Sequence, residues 1–242
     1  GPDDEAGTLN FITPDDLINA GKLIRKGKAF SLALNFDNKG PQAGLWGNRF
    51  NPIHTMLATG TDAVAGNQDE GGLRYADDMV SLPLQCGTQW DALGHIFYDD
   101  KMWNGYDAAL VDSTGAKKNG IEKVKDKMVG RGVLLDIPRL TGVDYLEPGT
   151  PIYQEDLEAF EKMAGVVVRP GDALFVRTGR WARRAELGPW VLAENAAGLH
   201  ASTMPWLKAR DVSFLGSDGV SDLLPSQIEG VRLPVHQLTI VA

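Results

Sequence analysis

Two apolar runs constrain the fold of this chain more than any other feature. Gly132-Val133-Leu134-Leu135-Asp136-Ile137 has the pattern of a buried strand ended by Pro138, and Ala173-Leu174-Phe175-Val176-Arg177-Thr178 reads as a strand closed by Gly179. Helix and strand signals mix around them. Thr13-Pro14-Asp15-Asp16 ahead of Leu17, Ile18, Leu23 and Ile24 marks a helix start, with Gly27 as a stop. Thr13 can cap, Pro14 suits the first helical position, and acids favour the first turn. A second helix region begins at Thr150-Pro151, and Leu157, Phe160 and Met163 fall there at helical spacing. Strands are read at 29–36, 54–58, 79–89 and 212–215, a short helix at 120–128, and a last element from Pro234 that is helical or extended. Residues 37–51, with Gly40, Pro41, Gly44, Trp46 and Gly47, form a loop long enough to act as a lid, and 60–75 is a second surface excursion. Without strict βαβ alternation, this order predicts a mixed α/β domain rather than a doubly wound sheet.

Composition narrows the function. The 242 residues, 43% hydrophobic and 23% charged, suit one domain over 1–242 that buries its core without staples. A net charge of −8 argues against nucleic acid or an anionic membrane as partner. The single cysteine, Cys86, allows no intrachain disulfide and no thiolate zinc site, which fits a reducing, cytoplasmic setting. No run approaches the ~20 apolar residues of a membrane span. The chain starts without Met, at an acidic segment unlike a signal peptide, and stops inside the apolar run 238–242. It therefore reads as a piece of a longer protein.

The chemistry concentrates in Gln85-Cys86-Gly87-Thr88-Gln89-Trp90-Asp91-Ala92-Leu93-Gly94-His95. If 85–91 is extended, Gln85, Gln89 and Asp91 share a face, Gly87 leaves space between them and Trp90 points away. Gly94 lets the chain turn so that His95 swings towards Asp91. Such a face is either a ligand site or a satisfied strand edge. A histidine near neutral pKa can act as a general base, and a carboxylate can orient it or hold a metal. With Asp91, the two carboxamides make a hard oxygen set suited to Mg²⁺, Mn²⁺ or Ca²⁺ more than to zinc, and His236 is a candidate further ligand. Phe97, Tyr98 and Trp103 either wall a pocket or anchor a surface loop. His54 and His200 either line the site or are packed histidines, and Cys86 reads as a buried structural thiol. The basic run Arg180-Trp181-Ala182-Arg183-Arg184 is either a solvated face or a site for a substrate carboxylate.

These residues resemble the signature of the cyclase family of metal-dependent hydrolases, which includes bacterial kynurenine formamidase and isatin hydrolase. The family pattern H-x-G-T-H-x-D-x-P-x-H lies over 85–95. The resemblance continues at 1–10, Phe97-Tyr98-Asp99, Asn104-Gly105, 132–136, Arg169-Pro170-Gly171-Asp172, Gly216-Ser217-Asp218 and Leu233-Pro234-Val235-His236. It implies an α/β fold of the swivelling β/β/α type, with a barrel-like sheet and surrounding helices, assembled as homodimers or homotetramers. It implies hydrolysis of amide-type bonds, often cyclic, with Zn²⁺ or Mn²⁺. Asp91 would be a metal ligand and His95 the catalytic acid/base. Gln85 and Gln89 stand at the first two signature histidines, His236 at a later histidine ligand, and Leu93 at the proline. The acidic ligand that follows His236 would lie beyond Ala242. Carboxamides in place of two imidazoles remove the strongest zinc donors, so the metal would be Mn²⁺ or Mg²⁺, weakly held, or absent. The expected function is metal-dependent hydrolysis of the C–N bond of a small amide or lactam, or of a lactone. Trp90, Phe97, Tyr98, Trp103 and the 37–51 loop would shape the pocket, with His54 and His200 beside it. The alternative is a metal-free small-molecule binding protein, an enzyme using Asp91 and His95 alone, or an inactive homologue.

Overall fold

The computed structural model describes residues 1–43, 47–68 and 70–242, without the side chain of Glu70. In chain order its elements are α1 (Pro14–Gly21), β1 (Ile53–Ala58), α2 (Gly60–Val64), β2 (Asp77–Ser81), β3 (Val111–Asp112), β4 (Gly115–Ala116), β5 (Gly132–Asp136), α3 (Ile137–Thr141), β6 (Pro151–Ile152), α4 (Gln154–Ala164), β7 (Ala173–Arg177), α5 (Arg180–Leu187), β8 (Gly198–Leu199), α6 (Met204–Ala209), β9 (Phe214–Ser217) and α7 (Pro234–Ile240). They fall into two compact units, one of Gly1–Lys28 with Trp90–Ala242, the other of Ala29–Gln89. The boundary lies inside the 85–95 stretch.

The first unit is built on a parallel sheet of order β5-β7-β9. The two apolar runs form its first two strands, with Val133 paired to Leu174 and Leu135 to Val176. Leu135 and Leu174 are wholly buried, among Ile152, Leu157, Phe160, Trp206 and Val235. Each such leucine contributes about 1.5–3 kcal/mol through apolar burial. The helix start at Thr13 forms as read, with Thr13 and Asp16 bonded reciprocally in a capping box. Asp136, Arg177 and Ser217 lie at the same, C-terminal end of the sheet, and Arg177 pairs with Asp136 at 2.7 Å. Open parallel sheets present ligand sites at this end.

The second unit holds the antiparallel pair β1–β2 and α2. The strand read at 29–36 does not form, and Phe30, Leu32 and Phe36 are exposed. Gly44 and Trp46 of the loop at 37–51 lie outside the described residues. Strand character ends at Ser81, and Leu84–Cys86 is a single 3-10 turn closed by the bond from Cys86 N–H to the Pro83 carbonyl. The period-two face proposed for 85–91 is therefore corrected, because Pro83 and the turn break the extended run. The helix at 120–128 is reduced to a 3-10 turn, Ile121–Val124.

Among the described residues the strands form four small sheets and close into no barrel. The fold is mixed α/β, and the barrel-like sheet that the resemblance implies does not form among the described residues. No described helix is long and apolar enough to cross a membrane.

Candidate active site

Trp90 starts the site. Its ring packs edge-on against Phe214 at 4.9 Å and Phe175 at 6.1 Å, on one face of the sheet. Gly216 admits it, since a Cβ there would stand 3.2 Å from the indole. This anchoring holds the next residue, Asp91, beside the sheet. The chain then turns, with the His95 N–H bonded to the Ala92 carbonyl at 2.9 Å. Gly94 is required here because a Cβ would meet the backbone carbonyls of Asn119 and Lys118 at 3.2 and 3.3 Å. The turn brings His95 Nε2 to 3.8 Å from Asp91 Oδ1.

The other oxygen of Asp91 faces His236, at 3.5 Å from its Nε2. His236 sits in the first turn of α7 and donates from Nδ1 to Asp222 at 2.5 Å. Asp222 is fully buried and also accepts the backbone N–H groups of Val235 at 2.7 Å and His236 at 3.2 Å. A single carboxylate thus caps α7 from a distant loop and orients its histidine. Gly198 permits this, because a Cβ at that position would lie 2.3 Å from the Asp222 carbonyl oxygen. One carboxylate, Asp91, therefore has an imidazole nitrogen near each oxygen, and one of those imidazoles is fixed by a second carboxylate.

Burial pulls the His236 imidazolium down, but the hydrogen bonds and charges of Asp222 and Asp91 outweigh it and hold the pKa up at about 9. In the unfolded chain the group titrates near 6.5. A pKa raised on folding stabilises the fold fully below the lower value and is lost as pH rises through the higher one. With only 16% of the side chain exposed, solvent screens little of this. Stability in urea is expected to fall by about 3 kcal/mol between about pH 6 and pH 9.5, and the fall should be absent in His236→Gln. An equal fall in the variant would refute the assignment.

The remaining sequence candidates divide. Gln85 and Gln89 belong to the second unit, where the Gln89 amide donates to the Gln85 carboxamide oxygen at 2.8 Å. His54, also there, bonds Asp78 at 2.7 Å and lines a groove of about 370 Å³ with Phe36, Asp37, Asn38, Pro52 and Ile53. In the first unit, His200 bonds Ser202 at 2.8 Å and stacks by Tyr153 at 5.1 Å. Trp103 donates to Asp4 at 3.2 Å and anchors the N-terminal segment. Phe97 and Tyr98 are exposed on a loop. Cys86 is buried, and burial pushes its thiol up, as befits an inert structural group. Asp222 is absent from the sequence candidates. Nothing in its local sequence distinguishes it, and its partners stand 13 and 14 positions away.

A divalent ion needs several converging donors. Among the described residues, no group of three or more His, Cys, Asp or Glu is placed to hold one. Of the expected set, Asp91 and His236 meet in the first unit, and Gln85 and Gln89 meet in the second. His236 has a carboxylate at each ring nitrogen, and the Gln85 carboxamide oxygen is engaged by Gln89. Within the first unit, Asp91 and His236 alone do not make up the donor set of a divalent ion.

The family described as "Putative cyclase" matches residues 11–221. A solved structure described as a novel cyclase is 36% identical, with 99% of this chain and 81% of that chain covered and a TM-score of 0.85. Isatin hydrolase A from Ralstonia solanacearum is 17% identical over 95% of this chain and 81% of that chain, with a TM-score of 0.62. An isatin hydrolase bound to the product analogue thioisatinate is 16% identical over 95% and 82%, with a TM-score of 0.60. At these identities the isatin hydrolases share the fold. No curated protein matches the chain. On the family match and the 36% identical structure, the chain belongs to the cyclase family.

Proposed function

We propose that the chain hydrolyses a small amide, lactam or lactone at Asp91, His95 and His236, with the C–N bond of a cyclic amide as its first choice. The observation that carries this reading is the Asp91 carboxylate with an imidazole Nε2 near each oxygen, one of them fixed by Asp222. Isatin is itself a cyclic amide, so the shared fold of the isatin hydrolases supports the substrate class. His95, the more exposed of the two histidines, takes a proton from the attacking water and returns it to the leaving nitrogen or oxygen. Asp91 orients His95 for that transfer. His236, held as an imidazolium, sets a positive charge beside the carbonyl as its oxygen becomes negative. Water oxygen bonds to the carbonyl carbon, the C–N or C–O bond breaks, and the products are a carboxylate and an amine or alcohol, joined in one ring-opened molecule where the substrate is cyclic.

The resemblance implies Mn²⁺ or Zn²⁺, or Mg²⁺, but the donor set supports a reaction run by these side chains. The test is elemental analysis, together with turnover on a panel of cyclic amides, formamides and lactones before and after chelation. The expected result is turnover of at least one panel member, no stoichiometric metal, and rates unchanged by chelator. One tightly held ion per chain, whose removal abolishes turnover, would overturn the metal-independent route. Failure on the whole panel would overturn the substrate class.

A further inference from the structure

Arg180 occupies the first position of α5, where a cation opposes the helix dipole. Asp218 answers that dipole. One of its oxygens accepts the Thr178 N–H and O–H, both at 2.8 Å, and the other accepts the N–H groups of Gly179 at 2.8 Å and Arg180 at 3.1 Å. Four donors therefore occupy this carboxylate, and none of them is a guanidinium. The Arg180 guanidinium lies instead over the Trp181 ring at 4.8 Å, and that of Arg184 lies over the same ring at 5.4 Å. Among the described residues, no carboxylate lies within ion-pair distance of either. Arg183, on the same helix, contrasts with both: it pairs with Glu147 at 3.0 Å and stacks on Trp190. Burial and the charge of Arg184 pull Arg180 down to about 10, against the opposing pull of Asp218. Two like charges share one indole, and an anion would relieve them.

Position joins this pair to the candidate site. The stem of Arg180 passes 4.0 Å from where a Cβ on Gly219 would stand. Gly219 donates to Ser217 Oγ at 3.2 Å, and Ser217 meets Ser221 at 3.0 Å. The next residue, Asp222, holds His236. We propose that Arg180 and Arg184, seated on Trp181, receive the carboxylate that hydrolysis releases from the substrate. The proposal rests on the hydrolase reading for the origin of the carboxylate. A guanidinium fork matches a carboxylate in two parallel hydrogen bonds.

The test measures binding without turnover. Benzoate is titrated into the full chain and followed by tryptophan fluorescence and calorimetry, with benzamide as the neutral isostere and sulfate as a generic anion. Benzoate is expected to bind, and benzamide to bind far more weakly. Arg180→Gln and Arg184→Gln should each weaken benzoate about tenfold or more, with the far-ultraviolet circular dichroism unchanged. Absence of benzoate binding, equal binding of benzamide, equal binding by a folded double Arg→Gln variant, or sulfate binding as tight as benzoate would each overturn the proposal. Benzoate binding in a chain that turns over no panel member would instead count against the hydrolase reading and leave the carboxylate site standing.

Discussion

Asp222→Asn is expected to lower turnover by on the order of 10²–10⁴-fold and to destabilise the fold by about 3 kcal/mol or more. Asp222 is fully buried and takes three donors: His236 Nδ1 and the first backbone N–H groups of α7. An asparagine offers one acceptor oxygen and turns its NH₂ towards groups that are themselves donors. The helix start is left short of an acceptor, and His236 loses the charge that keeps it protonated and aimed at Asp91. Urea denaturation at neutral pH measures the loss of stability, and kcat on the best panel substrate measures the loss of turnover. Wild-type stability in the variant would show that the carboxylate does not hold α7. Wild-type kcat would remove His236 from the mechanism.

His95→Ala is expected to cost on the order of 10²–10⁴-fold in kcat while leaving the melting temperature nearly unchanged. His95 Nε2 stands 3.8 Å from Asp91 with its side chain about one-third exposed, so its removal opens no core cavity. Turnover at several pH values and a thermal melt decide the matter together. Activity at the parent level would sink the general acid/base role. A large fall in melting temperature would mean that His95 is structural. The two variants thus separate cleanly, because Asp222→Asn moves stability and rate together whereas His95→Ala moves rate alone.

The parts of the molecule legible in the sequence are those whose determinants are local. The helix start capped by Thr13, the two buried strands and the helical spacing of Leu157 and Phe160 all depend on neighbours within a few residues, and all form. The turn that brings His95 to Asp91 was legible for the same reason, through Gly94. The strand at 29–36 and the polar face at 85–91 were misread. Alternation records which side chains could share a face but does not set the backbone hydrogen bonds of a ladder, and at 85–91 Pro83 with the turn after it removes the extended run. The His54 and His200 alternatives were open in sequence because an isolated histidine carries no sign of its partner. In the structure those partners are Asp78 and Ser202.

The sequence by itself determined the class of the fold, its family resemblance and the Asp91–His95 pair, because each is written in residues close together along the chain. Only the tertiary structure decided which groups complete the site. Asp218 and Asp222 lie four positions apart on the loop after β9, yet one caps α5 and the other caps α7 and aims its histidine. Their roles come from donors some 40 positions away in one case and 14 in the other. Such donors converge only when the parallel sheet aligns the ends of its strands. Burial then makes each unpaired backbone N–H costly enough that a carboxylate must meet it.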